Sequence, residues 1–300
     1  MRLFYTDVFV LPLPAGHRFP MEKYSRLREA LLASGEFSQA NFHLPHAATD
    51  AELARAHDLS YIHDVSHGQL EKSAEKQIGF PWSTGMVERS RRSAGATICA
   101  CRAALEDGVA ANLAGGTHHA FRDHGEGFCV FNDAAVAARA MQAEGRAERI
   151  LIIDCDVHQG NGTASILRGD DSIFTFSIHG ARNYPFDKEP SDLDIELPDR
   201  CTDEAYLLHL DHGLNVAFDL ARPDLVIYLA GADPYRDDRL GRLALSFDGL
   251  AERDRRVFGF CRIRHAPIAI VMAGGYARQI DDTVSIHART IVLAKSCLTA

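Results

Sequence analysis

Short apolar runs alternate along the chain with longer segments in which apolar residues recur at helical spacing. The runs are rich in β-branched residues and poor in polar ones, a pattern typical of strands buried on both faces of a parallel sheet. Strands are predicted at residues 3–5, 109–113, 150–153, 173–178, 225–230 and 268–272, with a further extended piece at 193–197. Helices are predicted at 20–33, 61–67, 84–106, 133–143, 202–220, 247–263 and 281–293. A further short helix is predicted to end near residue 56.

This alternation predicts an α/β fold with a central, mostly parallel sheet and helices on both of its faces. The sheet and the helices on its two faces would form three layers. Residues 1–300 are expected to form a single domain because no linker or repeat interrupts them. Polar clusters follow several predicted strands, at residues 115–119, 154–158, 177–179, 231–234 and 274–276. In a parallel sheet the carboxyl ends of the strands open on one crevice, so these clusters are expected to meet at one site.

The cluster after the strand at 150–153 has the composition of a metal site. Asp154, Asp156 and His158 alternate, so their side chains can point to one side of an extended segment. Charged groups at the end of a buried strand must be paired or ligated, and a third ligand is expected from Asp233. Two carboxylates and one imidazole suit a catalytic Zn²⁺, although Fe²⁺ or Mn²⁺ suits the same ligands. The alternatives are a solvated loop or helix cap for Asp156 and His158, and a turn residue for Asp233.

Adjacent histidines, His118 and His119, lie in a loop at 115–131 that is too long to serve only as a connection. Hydrolysis at a metal needs a base for the water and an acid for the leaving group, and tandem imidazoles can supply both. Tyr276 follows two glycines, and its hydroxyl could stabilise a developing oxyanion. Alone, Tyr276 would be a packed aromatic residue and the histidines would be supporting or surface groups.

Composition narrows the classes of function. The 300 residues are 46% hydrophobic and 24% charged, with a net charge of −9 and no dense lysine or arginine cluster, which argues against nucleic-acid binding. No apolar run approaches a membrane span and no secretory leader is present, so no membrane partner and a cytoplasmic location are expected. The seven cysteines are an odd number without a Cys-x-x-Cys pair, which predicts reduced thiols.

Six motifs together resemble the zinc-dependent histone deacetylase family, including the acetoin-utilisation and acetylpolyamine deacetylases of the arginase-deacetylase fold. They lie at residues 17–21, 114–120, 127–133, 154–162, 231–234 and 273–276 and cover nearly the whole chain in order. The short N-terminal part and residues 191–195 are more similar to the compact, class IV-like bacterial branch than to longer eukaryotic enzymes.

The resemblance implies hydrolysis of an N-acetyl amide by a zinc-activated water, with Asp156, His158 and Asp233 as the zinc ligands. It implies that His119 acts as general base and then as general acid, and that Tyr276 stabilises the tetrahedral oxyanion. The substrate would be an acetylated amine: acetyl-lysine, an acetylpolyamine or a small metabolite.

Supporting roles also follow from the resemblance. His118 would be an electrostatic partner held by Asp154, and Asn161 would orient His119. Some relatives have aspartate where this chain has Asn161. Because an amide stabilises an imidazolium less than a carboxylate does, we expect a lower pKa for His119 here than in those relatives.

Two further groups are implied by resemblance alone. A structural K⁺ site would use Asp154, Asp156, His158, Ser177 and Ile178. The substrate tunnel would be lined by Gly127, Phe128, Tyr184, Gly274 and Gly275. Arg18 resembles the arginine that braces the glycine loop before the catalytic tyrosine.

Two other functions remain open on the sequence. A ureohydrolase of the same fold would use two Mn²⁺ ions, but its second pair of aspartates is missing, since Asp233 is followed by Pro234 and Tyr235. A non-catalytic module that binds metal and acyl-lysine is the other alternative. The presence of Tyr276 and of both histidines argues against it.

Overall fold

One parallel sheet of eight strands organises the protein, whose computed structural model describes residues 1–14 and 16–298. The strand order is β2-β1-β3-β8-β7-β4-β5-β6. The strands are β1 Arg2–Phe4, β2 Phe42–His43, β3 Val109–Asn112, β4 Ile150–Asp154, β5 Ile173–Gly180, β6 Leu193–Leu197, β7 Leu225–Leu229 and β8 Ile268–Val271. All the pairings between these strands are parallel, so their carboxyl ends meet at one edge of the sheet.

Ten α-helices cover the sheet in the part of the chain just defined. They are α1 Lys23–Ala33, α2 Asp50–Leu53, α3 Leu59–His67, α4 Lys72–Ile78, α5 Thr84–Asp107, α6 Asp133–Ala143, α7 Asn161–Leu167, α8 Asp203–Ala221, α9 Phe247–Ile263 and α10 Ile280–Leu298. A short 3₁₀ turn, Gln39–Asn41, precedes β2.

Strand β4 shows why the arrangement has three layers. Leu151 and Ile153 join an apolar core together with residues of α1, α8, α9 and α10. Ile150 and Ile152 point the other way, into a second core formed with α3, α5 and α6. Successive side chains of a strand alternate between faces, so a strand buried on both sides is apolar throughout. The predicted three-layer α/β fold is confirmed.

Among the differences from the predicted elements are two missed short elements and a misplaced start of α1, and α10 also runs to Leu298 instead of ending at residue 293. Strand β2 has only two residues, too few to show a periodicity. Helix α4 is polar apart from a buried Ile78 at its end, so it lacks an apolar stripe. Helix α1 begins at Lys23 because Pro20 lies in the preceding turn, where its carbonyl accepts from the Lys23 N–H.

The cysteines and the helices bear on two expectations that were drawn from the composition. All seven cysteines are free. In residues 1–14 and 16–298, none of the helices combines the length and the apolar character that crossing a membrane requires.

Candidate active site

A cluster of three metal-ligating side chains lies at the carboxyl ends of the neighbouring strands β4 and β7. Asp156 and His158 follow β4, Asp233 follows β7, and all three are buried. One ligand atom from each lies within 4.8 Å of the other two. Of the groups of histidine, cysteine, aspartate and glutamate in the described residues, this is the one with the spacing of a metal site.

Backbone N–H groups hold both carboxylates in place. The Gly274 N–H donates to Asp156 Oδ2 over 2.7 Å, and the Val157 N–H donates to Asp233 Oδ1 over 2.9 Å. Asp233 Oδ2 is buried and accepts no hydrogen bond from the described residues, although it lies 3.4 Å from His158 Nδ1. A buried carboxylate oxygen without a donor is costly, so this atom is suited to a cation.

The charges at the cluster also fit a cation. Burial lowers the pKa of His158, but the hydrogen bond to Asp156 and the negative charges of Asp156 and Asp233 outweigh it and raise the pKa to about 10. Burial and the charge of Asp156 raise the pKa of Asp233 to about 7. Without a metal, the imidazolium of His158 therefore supplies the positive charge between the carboxylates. Two oxygen ligands and one nitrogen ligand fit a divalent ion such as Zn²⁺.

The two histidines of the glycine-rich loop are oriented by different partners. His118 Nδ1 lies 2.6 Å from Asp154 Oδ2, and His119 Nδ1 lies 2.7 Å from Asn161 Oδ1. Their ring centroids are 4.2 Å apart. An amide oxygen can only accept, so Nδ1 of His119 carries the proton and its Nε2 is left free to take one.

The surroundings give the two imidazoles different charges. Burial lowers the pKa of His118, but the charges of Asp154 and Asp156 outweigh it and raise the pKa to about 9. Burial, followed by the positive charges of His118 and His158, lowers the pKa of His119 well below its ordinary value. At neutral pH, His118 is therefore charged and His119 is a neutral base.

Behind Asn161 lies a carboxylate that sequence reasoning did not include in the site. Asn161 Nδ2 donates to Glu126 Oε1 over 2.7 Å, and Gln77 Nε2 donates to Glu126 Oε2 over 3.1 Å. The imidazole of His119 is thus linked to a carboxylate through one amide. Glu126 stands between two glycines in a loop, where no periodicity marks its direction.

Tyr276 is buried, and a hydrogen bond to Asp238 holds its backbone in place. The Tyr276 N–H donates to Asp238 Oδ2 over 2.6 Å, and its ring centroid lies 6.1 Å from that of Phe128. Burial raises the pKa of the Tyr276 phenol well above its ordinary value, so the hydroxyl keeps its proton and can donate it in a hydrogen bond. Asp238 is itself buried and acts as an anchor for this part of the backbone.

Lys23 makes the contact that the sequence assigned to Arg18. Its Nζ is buried and lies 3.3 Å from the Ala273 carbonyl oxygen, 3.5 Å from that of Gly275 and 5.3 Å from the Tyr276 ring centroid. Arg18 is exposed at the pocket mouth and makes no side-chain hydrogen bond to residues 1–14 or 16–298. A signal for Lys23 was available, because it continues the buried stripe of Leu27 and Leu31 at a spacing of four.

His119, Asp156, His158 and Tyr276 all line one cavity of about 440 Å³. Of the predicted tunnel residues, those that line it are Gly127, Phe128, Tyr184 and Gly274, whereas Gly275 lines a neighbouring depression. A Cβ at residue 127 would lie only 2.7 Å from His119 Cδ2, so the wall approaches the imidazole as closely as a glycine allows. Phe128 has a φ of 68°, a backbone conformation that is uncommon for a residue with a bulky side chain.

The residues predicted for a K⁺ site lie partly together. Asp154 and Ser177 are paired in register on the adjacent strands β4 and β5. Ser177 Oγ lies 2.9 Å from His179 Nδ1. The potassium site stays a prediction.

Comparison with known proteins agrees with this geometry. The sequence pattern of the histone deacetylase domain matches residues 17–291. An uncharacterized protein of Picosynechococcus sp. is 44% identical over 283 residues, covering 94% of each chain. Histone deacetylase 2 of Arabidopsis thaliana is 31% identical over 291 residues, covering 93% of this chain and 75% of the relative.

The fold has also been seen before. The crystal structure of a histone deacetylase homologue from Aquifex aeolicus superposes with a TM-score of 0.84 at 22% identity, covering 100% of this chain and 88% of the homologue. The likeness read from the motifs is therefore confirmed, and the chain belongs to the histone deacetylase family, with its arginase-deacetylase fold.

Proposed function

We propose that the protein is a zinc-dependent deacetylase that hydrolyses the N-acetyl amide of an acetylated amine. The observation that carries the proposal is that one cavity is lined by Asp156 and His158 of the metal cluster, by the neutral base His119 and by the phenol of Tyr276. Membership of a hydrolase family supports the same reaction.

Asp156, His158 and Asp233 would hold the ion, which when bound supplies a Lewis acid for the amide carbonyl and for the attacking water. Zn²⁺ suits this ligand set best, while Fe²⁺ or Mn²⁺ fits the same donors. The buried Asp233 Oδ2 without a donor is the atom of this chain that most requires the ion.

His119 would move the protons. Its Nε2 takes the proton of the attacking water, because the Asn161 contact keeps the other ring proton on Nδ1. The resulting imidazolium then gives that proton to the nitrogen of the leaving amine. Burial, together with the charged His118 held by Asp154, keeps the pKa of His119 low and so favours this second transfer.

Tyr276 would stabilise the oxyanion that forms at the carbonyl oxygen. Burial keeps its phenol protonated, and Asp238 holds the backbone from which the ring projects. A preorganised donor that meets charge only as it develops lowers the barrier more than it strengthens substrate binding.

We also infer a K⁺ ion beside the active site, held by Asp154, Ser177 and neighbouring backbone carbonyls. The in-register pairing of Asp154 with Ser177 supports it. Thermal unfolding in KCl and in tetramethylammonium chloride tests this inference: the melting temperature should be higher in KCl, and equal values would contradict it.

Turnover on zinc-reconstituted protein tests the main proposal. Released acetate should be detected from at least one member of a panel of acetyl-lysine peptides, acetylpolyamines and small acetamides. Hydrolysis of a guanidine with two Mn²⁺ bound per chain would instead identify a ureohydrolase. Binding of the acetylated ligands without release of acetate from any of them would identify a non-catalytic module.

A further inference from the structure

The mouth of the active-site cavity is lined by cations from four separate segments. Arg18 precedes α1, Lys76 lies in the last turn of α4, Arg182 follows β5 and Arg242 follows β7. All four are exposed, with 75% of the Arg182 side chain and 51% of the Arg242 side chain accessible. Because the four cations come from segments that are distant in sequence, the positive charge of the mouth is produced by the fold and not by one helix or loop.

Acidic side chains only partly balance these cations. Asp199 is shared by Arg242 at 2.9 Å and Arg182 at 3.7 Å. For Arg18 and Lys76, no carboxylate of residues 1–14 or 16–298 lies within ion-pair distance. Among the described residues, the one carboxylate that lines the cavity itself belongs to the proposed metal ligand Asp156.

The carboxylate of Glu126, beside the cavity, is occupied by hydrogen-bond donors of the protein. Glu126 directs its two carboxylate oxygens to Asn161 and to Gln77, as described above. The mouth therefore carries an excess of positive charge, although the net charge of the chain is −9. Charges of one sign around a cleft concentrate the electric field there and attract ligands of the opposite sign.

Resting on the deacetylase function proposed above, we propose that the substrate is an acetylated amine that bears a carboxylate or phosphate on the amine side of the amide. The acetyl group would enter toward the metal cluster, which leaves the rest of the amine at the mouth, among Arg18, Lys76, Arg182 and Arg242. An acetylpolyamine or a lysine-rich peptide would bring further positive charge to the same place and be repelled.

One exposed apolar side chain fits this substrate class. Phe186 also lines the mouth, is 84% exposed, and its ring centroid lies 6.2 Å from that of Tyr184. The two rings offer an apolar surface to the carbon chain between the amide and the anion, while the surrounding cations bind the anion itself.

Two matched series of substrates test the proposal on the zinc-loaded protein. The peptide series places one acetyl-lysine between glutamates, glycines or lysines. The small-molecule series compares 4-acetamidobutyrate, N-butylacetamide and N-acetylputrescine, which share a four-carbon chain and differ in charge. We expect kcat/KM to fall from anionic to neutral to cationic in at least one series, by roughly tenfold or more from end to end at low salt.

The series that shows the larger effect identifies the source of the anion, a protein segment or a small acid. Raising the salt concentration should shrink the difference, because exposed charges are screened. A cationic substrate that is hydrolysed as well as the anionic one in both series, or better, would overturn the inference while leaving the deacetylase function intact.

Helix α4 provides a matched pair of variants. Lys76→Gln removes a cation at the mouth, whereas Lys72→Gln removes one a turn earlier on the same helix, outside the cavity lining. Lys76→Gln should reduce the ratio of anionic to cationic kcat/KM by roughly threefold, and Lys72→Gln should leave it unchanged. Equal effects of the two substitutions would contradict a role for the mouth.

A measurement of ligand binding distinguishes failure of this inference from failure of the proposed deacetylase function. If no substrate is hydrolysed, the deacetylase function fails, and calorimetry with the metal-free protein decides the charge question. Tighter, salt-sensitive binding of 4-acetamidobutyrate than of N-acetylputrescine would still support an anion-selective mouth. Equal or weaker binding would overturn it.

Discussion

The amide nitrogen of Asn161 lies 2.7 Å from a carboxylate oxygen of Glu126, so a negative charge stands directly behind the amide that orients His119. The chain therefore places an amide between the proposed base His119 and the carboxylate of Glu126. This arrangement keeps His119 in one tautomer without giving its imidazolium a direct ionic partner.

Replacing Asn161 by aspartate would bring the carboxylate to the imidazole. The pKa of His119 should rise, because a charged oxygen stabilises the imidazolium more than an amide oxygen does. A base must be unprotonated to act, so the acidic limb of the kcat/KM profile should move to higher pH. Adding Glu126→Gln provides the control, since it removes repulsion between the two carboxylates. A limb that moves to lower pH in both variants would contradict the assignment.

Glu126→Gln alone tests whether the distant carboxylate contributes. We expect kcat to fall roughly tenfold, by analogy with the loss seen when the hydrogen-bond partner behind a metal-ligating histidine is removed, and we expect little change in KM because Glu126 does not line the cavity. Gln77→Ala is the matched control, because it removes a donor to the same carboxylate but keeps the charge. A similar loss in both variants would indicate a purely structural role for Glu126.

Tyr276→Phe should retain the metal and lose most of its turnover. Removal of one oxyanion donor costs about 10²–10³ in kcat. Metal content by atomic spectroscopy and kcat from acetate release are the measurements, and His158→Ala, which should lose the metal itself, is the comparison. A fully active Tyr276→Phe enzyme would refute the oxyanion role.

Lys23→Met should destabilise the fold. It leaves the carbonyls of Ala273 and Gly275 buried without their donor, at a cost of about 1–3 kcal/mol for each group. Thermal unfolding should therefore show a clearly lower melting temperature than for Arg18→Met, which removes an exposed cation of similar length. Equal melting temperatures for the two variants would argue against the bracing contact.

Metal affinity should rise with pH. In the metal-free chain the pKa of His158 is raised to about 10, so at neutral pH the ion must displace a proton from the imidazole. Each unit of pH below that value then weakens binding by up to about tenfold, and the dependence becomes steeper below about pH 7, where Asp233 also holds a proton. Competition with a chelating dye between pH 6 and pH 8 measures the slope. An affinity independent of pH would show that His158 is already neutral.

Sequence patterns predicted that Asp156, His158 and Asp233 would lie together because the signals for this candidate metal cluster are local or follow from the sheet. Asp156 and His158 alternate after a buried strand, and Asp233 follows another strand whose carboxyl end lies at the same edge. Lys23 and Glu126 were missed because their roles depend on contacts distant in sequence. The partners of Lys23 lie about 250 residues away, and a loop gives Glu126 no direction that periodicity could reveal.

The backbone of Gly274 connects the candidate metal ligands with Tyr276. Its N–H binds the Asp156 carboxylate, and a Cβ at this residue would lie 2.6 Å from that carboxylate and nearer still to Asp233. Tyr276 follows only two residues later. The candidate metal ligands and the phenol are therefore connected through one hydrogen bond and a few covalent bonds, so a wrongly sized ion that displaced Asp156 would be expected to displace the tyrosine as well.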